Sequence, residues 1–134
     1  MTLADKQQQL IARLAIIEDP QERLAALMSR AKKWPVPAQM DDSLLVPGCQ
    51  SRVWLQCAVE ESVCRFRMEC DAPMVKGLVA LMCELYDGAP AAEVAAVEPE
   101  WVEKLGFHRM ITPTRLNGLA AVRGRIREFA QGVR

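Results

Sequence analysis

VWLQCAVEESVCRFRMEC, Val53 to Cys70, alternates with a period of two. Val53, Leu55, Cys57 and Val59 interleave with Trp54, Gln56 and Ala58. After Glu60-Glu61-Ser62, the residues Cys64, Phe66, Met68 and Cys70 interleave with Val63, Arg65, Arg67 and Glu69. Side chains alternate across a strand, so this pattern predicts a β-hairpin with one face on a core and a wetter opposite face. A short apolar run just upstream, Leu44 to Val46, predicts a further strand and hence a small antiparallel meander of about three strands.

Outward from the hairpin the period becomes helical. Leu3, Leu10, Leu14 and Ile17 define one helix. Asp19-Pro20-Gln21-Glu22 opens a second, with Asp at the cap and Pro at the first position, and Leu24, Leu27, Met28 and Ala31 continue its apolar face. It should stop near Trp34, because Pro35 and Pro37 cannot continue it. Beyond the hairpin, Asp71-Ala72-Pro73 resembles a cap with Pro in the first turn. Met74 to Leu85 is apolar on most sides, which predicts a central buried helix stopped at Gly88. Short helical pieces are expected over 91–97 and 99–105. Thr112-Pro113 opens a last helix with Leu116, Leu119, Val122, Ile126 and Phe129 inward. The fold class is therefore α+β, with helices covering one face of a small antiparallel sheet. Residues 1–134 read as a single domain.

Composition narrows the function classes. Seventeen basic residues balance seventeen acidic ones, so no global field recruits nucleic acid or an anionic membrane. No segment approaches the roughly 18 consecutive apolar residues of a membrane span, and the first twenty residues lack a signal-peptide core. A cytoplasmic protein is expected. The five cysteines (Cys49, Cys57, Cys64, Cys70 and Cys83) are odd in number, which argues against a disulfide framework. With no CxxC pair and a single histidine, His108, the common zinc spacings are missing. Neither a P-loop, nor GxGxxG, nor HExxH occurs.

The cysteines sort by context. Cys57, Cys64 and Cys83 lie on apolar phases and read as core. Cys70 shares the inward phase but stands at a strand end beside a helix start, where the dipole and free amides favour a thiolate. Cys49 follows Pro47-Gly48, a turn dipeptide that presents it on a loop. The residues alone leave its reading open between a reactive thiol and an inert one. His108, in GFHRM, has no sequence tie to Cys49 and reads as a surface or partly packed histidine. The carboxylates Glu93, Glu98, Glu100 and Glu103 read as a solvated helix surface. Arg115, Arg123 and Arg127, spaced by eight and four, suggest a basic stripe on the last helix. A solvated helix end explains the later two, and Arg115 stands apart.

Three separated motifs, GCQSRVW (48–54), DAPMVKGL (71–78) and TPTRLNGL (112–119), occur in order. Together they resemble the SufE/CsdE family of sulfur acceptors for cysteine desulfurases, over nearly the whole chain. The resemblance implies the fold shared with IscU-type iron–sulfur scaffolds. It also implies a function: Cys49 takes persulfide sulfur from a pyridoxal-phosphate cysteine desulfurase of SufS or CsdA type, stimulates that enzyme, and passes sulfur to an iron–sulfur scaffold complex. The pyridoxal phosphate belongs to the partner, so no cofactor or metal of the chain's own is expected, and the protein is not itself an enzyme. Arg115 and Asn117 match the signature near the last helix and are expected to support the cysteine loop or to serve as cap and packing. Asp71 is most simply an N-cap of the central helix. An IscU-like fold would bring the turn carrying Cys70 towards the Cys49 loop, where the pair would trap a disulfide or relay sulfur. The remaining expectations are no nucleic-acid partner and a monomer or weak dimer. The alternative is an Fe–S or metal-binding scaffold that uses several of the cysteines.

Overall fold

The computed structural model describes residues 1–133, and the alternating stretch is its hairpin. Strand β1 (Val53–Glu60) pairs antiparallel with β2 (Val63–Cys70), Val53 opposite Cys70 and Glu60 opposite Val63. Glu60 completes β1, so the connection is the two residues Glu61 and Ser62, both at positive φ (51° and 70°). Two left-handed residues form the primed turn whose twist matches that of the strands, here built without glycine. Val53, Leu55, Cys64, Phe66, Met68 and Cys70 are buried, whereas Gln56, Ala58, Arg65 and Arg67 are exposed. Towards the hairpin tip the inner phase loses its cover. Val59 is 46% exposed, and Cys57, expected in the core, is only half-buried.

Among the described residues the sheet has two strands rather than about three. The Leu44–Val46 run does not form a strand of its own. Asp41 accepts a hydrogen bond from the Ser43 amide at 2.8 Å, which winds Asp42–Leu44 into a 3₁₀ turn. Leu45 then makes one isolated bridge to Trp54, and the Val46 amide donates to the Val53 carbonyl at 2.9 Å. Pro47 follows with no amide to donate, so pairing ends there. The outer edge of β2 is covered: its Cys64 and Phe66 amides donate to the Ala89 carbonyl and to Asp87, and the Met68 amide donates to the Pro35 carbonyl.

Among the described residues there are seven helices, six of them in the predicted order: α1 (Leu3–Ala15), α2 (Pro20–Ala31), α3 (Pro73–Tyr86), α4 (Ala91–Ala96), α5 (Trp101–Lys104), α6 (Phe107–Met110) and α7 (Pro113–Gln131). Helix α6 falls in the GFHRM stretch, which reads in the sequence as a connection between helices. Asp19 caps α2 through the Gln21 amide at 2.9 Å, with Pro20 in the first turn. Helix α3 is the buried centre, enclosed along its length from Gly77 to Tyr86 apart from the half-buried Glu84. It packs on α2, on the inner face of the hairpin and on α7. Gly77 permits the α2 contact: a methyl group there would lie 3.0 Å from the Met28 amide nitrogen and 3.2 Å from Leu27 and Met28 backbone carbons.

At Arg123 the basic stripe on α7 is not a solvated surface. Arg123 is 4% exposed. Its guanidinium donates to the carbonyls of Val94 (2.8 Å), Ala95 (3.2 Å) and Val97 (3.0 Å) and covers the Tyr86 ring at 4.6 Å. The end of a helix leaves carbonyls without intrahelical donors, and Arg123 supplies donors for those at the end of α4. Arg127 pairs with Glu98, and Glu93 accepts from the Leu3 amide at 2.9 Å. Two of the four grouped glutamates are thus engaged in tertiary contacts rather than simply solvated.

Candidate functional site

Cys49 lies between the Pro47-Gly48 turn and β1, in a segment with no regular structure. Gly48 adopts φ +88°, a left-handed conformation that glycine reaches without steric cost. The turn lays the loop on α7: a methyl group built at Gly48 would meet the Ala121 side chain at 3.5 Å. Cys49 itself points inward. Its Sγ donates a weak hydrogen bond to the Gly118 carbonyl at 3.3 Å. A methyl group at Gly118 would sit 3.6–3.8 Å from Cys49 Sγ, Cα and Cβ. Gly118 is thus the seat of the thiol, a contact that sequence reasoning missed. The glycine of NGL did not by itself signal this seat, because the same helix holds Gly124, which has nothing within 4 Å.

Burial raises the Cys49 thiol above its ordinary pKa. Desolvation penalises the thiolate, and a carbonyl acceptor favours the protonated form. The resting residue is therefore a half-buried, neutral thiol with one weak hydrogen bond, packed against the core.

Asp71 does not cap α3. Pro73 occupies the first helical position, and the residue before proline is driven extended. Ala72 (φ −115°, ψ 117°) therefore takes the cap position, with no side-chain hydrogen bond. Asp71 instead accepts from the Arg52 amide at 3.0 Å through Oδ1, while its own amide donates to the Arg52 carbonyl at 3.2 Å. This double tie extends the hairpin by one pair and anchors the downstream end of the Cys49 loop.

Cys70, opposite Val53, is buried, with Sγ 3.6 Å from the Ala72 carbonyl. Burial is the main cause raising its thiol pKa, the backbone contact at Ala72 lowers it, and negative charge on Asp71, Cys49 or Glu69 pushes it further up. Arg115 is exposed and places Nη1 3.4 Å from Met74 Sδ on α3, which joins the first turns of α7 and α3. Asn117 is exposed, one residue before Gly118. His108 is half-buried on α6. Cys64 and Cys83 are fully buried, as expected. Among the described residues no group of three or more His, Cys, Asp or Glu is arranged to hold a metal ion. No described helix is long and apolar enough to cross a membrane.

The model of the SufE family, described as an Fe-S metabolism associated domain, matches residues 8–130. The chain belongs to this family. An uncharacterized SufE-like protein of Rhizobium etli is 32% identical over 130 residues, covering 92% of this chain and 88% of its own. One from Synechocystis is 29% identical over 121 residues, 87% of this chain and 75% of its own. A chloroplastic/mitochondrial SufE-like protein of Arabidopsis thaliana is 28% identical over 120 residues, but these span only 32% of that longer chain. The fold is shared with a solution structure of a hypothetical protein from Thermus thermophilus, with TM-score 0.78 and 25% identity, covering 94% of this chain and 93% of that one. In this SufE-family chain, the Cys49 loop, its seat on α7 and the Arg52–Asp71 tie form one contiguous unit.

Proposed function

We propose that this SufE-family protein is a sulfur carrier whose Cys49 receives sulfur from the persulfide of a pyridoxal-phosphate cysteine desulfurase in the cytoplasm. The Cys49 thiolate attacks the terminal sulfur of the enzyme's persulfide. A sulfur–sulfur bond forms at Cys49, the bond to the enzyme's sulfur breaks, and the enzyme leaves as a thiolate, ready for another turnover. Removal of the product persulfide stimulates the desulfurase, and the loaded carrier passes its sulfur to an iron–sulfur assembly scaffold. Such a step needs a presented thiol and a docked donor rather than a resident acid–base pair.

The supporting observation is the Cys49 loop: a thiol half-sheltered on Gly118, whose sulfur makes one weak hydrogen bond at 3.3 Å. A carrier benefits from that state, because an exposed thiolate or persulfide oxidises readily, while a docking partner has little to break in order to release the loop. The scaffold alternative needs three or four thiolates converging on one point, and the burial of Cys64 and Cys83 in the core disfavours it.

Intact-mass analysis after incubation with a cysteine desulfurase and cysteine tests the reading. The wild type should gain one sulfur, and Cys49→Ser should gain none and lose desulfurase stimulation. A wild type that stays unmodified refutes the carrier role.

A further inference from the structure

Cys49 and Cys70 belong to one small ring of contacts. Arg52, three residues after Cys49, is doubly hydrogen-bonded to Asp71, the residue after Cys70. On the other side, Cys49 rests on Gly118. One turn earlier on the same helix, Arg115 touches Met74, four residues beyond Cys70. Burial is the main cause raising the Cys70 thiol pKa, and negative charge on Cys49 adds to it. Between Cys49 and its anchor at Arg52 the chain has no regular structure, and three residues reach roughly 10 Å when extended.

Cys70 also faces a second opening. Together with Ala25, Met28, Lys32, Pro73 and Lys76 it lines a groove of about 610 Å³ between α2 and the start of α3. Cys49 does not line this groove.

We propose that Cys70 is a second catalytic thiol, which takes the sulfane sulfur from Cys49 within the same molecule and presents it in the α2–α3 groove. This rests on the carrier reading above. The loaded Cys49 leaves Gly118 and swings with its loop towards Cys70. The Cys70 thiolate attacks the terminal sulfur, the bond between that sulfur and Cys49 Sγ breaks, and a new bond to Cys70 Sγ forms. The proton given up by Cys70 ends on the Cys49 thiolate, so one persulfide and one thiol exchange places with no net oxidation. A donor enzyme can then stay docked over Cys49 while a thiolate acceptor approaches the groove from another side.

Trypsin separates the two cysteines, placing Cys49 in peptide 34–52 and Cys70 in peptide 68–76. Wild-type protein is loaded with a desulfurase and cysteine, freed of enzyme, alkylated at intervals before unfolding, digested without reductant and mapped. The extra sulfur should appear first on peptide 34–52 and later on peptide 68–76. Cys70→Ala should hold its sulfur on Cys49 alone, and Cys49→Ala should acquire none at Cys70. Sulfur confined to Cys49 in the wild type at every interval overturns the relay while leaving the carrier reading intact. Loading of Cys70 in Cys49→Ala overturns the order of transfer. Sulfur appearing on Cys49→Ala mixed with loaded, enzyme-free Cys70→Ala overturns transfer within one molecule. No sulfur on either peptide overturns the carrier reading and the relay together. The wild-type map needs no variant, so a poorly folded Cys70→Ala does not obscure the result.

Discussion

At Cys49 two requirements pull against each other. The thiolate is the attacking form, yet burial and a carbonyl acceptor hold the sulfur as a thiol. The structure places that conflict at one contact, with Gly118. An alanine there brings a methyl group to 3.6–3.8 Å from Cys49, an ordinary van der Waals distance, and alanine is more favourable than glycine within a helix by about 1 kcal/mol. Gly118→Ala should therefore keep Cys49 sheltered at equal or slightly higher stability. Gly118→Leu should displace the thiol and accelerate its alkylation by iodoacetamide, measured on peptide 34–52. Equal alkylation rates in the leucine variant and the wild type would show that Gly118 does not shelter Cys49. Much of this residue's setting was legible in the sequence, because Pro47-Gly48 announces a turn. Its inward direction was not, since the seat lies 69 residues away on α7.

Among the elements, the α2–α3 crossing sets how closely the central helix can approach its neighbour. Gly77 faces the α2 backbone, and a backbone cannot move aside as a flexible side chain can. The 3.0 Å separation from the Met28 nitrogen is tighter than nine in ten β-carbon contacts, so the α2 backbone would have to give by a few tenths of an ångström. Gly77→Ala should lose about 1–3 kcal/mol, the usual cost of overpacking, even though alanine is the better helix former. Urea denaturation monitored by tryptophan fluorescence measures it, and an unchanged midpoint would refute the close approach. The elements themselves were readable from period and punctuation: both strands, the Asp19-Pro20 start and the α7 face are where the sequence places them. The third strand was not, because an apolar run of three residues does not distinguish a strand from a 3₁₀ turn followed by a single bridge. Asp41 decided between them through its contact with Ser43. Asp71 was misread by one position, because Pro73 forces Ala72 to be extended and moves the cap.

Across the whole molecule, the buried titrating groups determine how stability varies with pH. Burial raises the thiols of Cys49, Cys64, Cys70 and Cys83 and the Tyr86 phenol, and pushes Cys57 up to about 12. Each group keeps its proton in the folded chain at a pH where the unfolded chain has lost it. Folded protein thus binds more protons than unfolded protein, and stability must fall as pH rises. The contribution is complete below the ordinary thiol value of 9.0 and is lost as pH rises towards 12. Lys6, lowered mainly by burial, acts in the opposite direction, but it is one group against six. Under reducing conditions the urea midpoint should be flat from pH 7 to 8.5 and decline steadily above 9. A midpoint that holds constant to pH 11 would refute this.

By itself the sequence determined the class of fold, the order of its elements, the loop that carries Cys49 and the family to which the chain belongs. The first three follow from local periodicity and from backbone restrictions at Pro and Gly, which act over a few residues, and the family follows from the three separated motifs and the match over residues 8–130. Only the tertiary structure decided that Cys49 rests inward on Gly118, that Asp71 binds Arg52 and that Arg123 is buried among the carbonyls that end α4. Each of these joins groups distant in the chain, and which donor reaches which acceptor is set by how the helices pack on the hairpin. Arg123 shows the difference most plainly. Its spacing on the helix suits a solvated stripe, but free carbonyls and the Tyr86 ring lie where that side chain points.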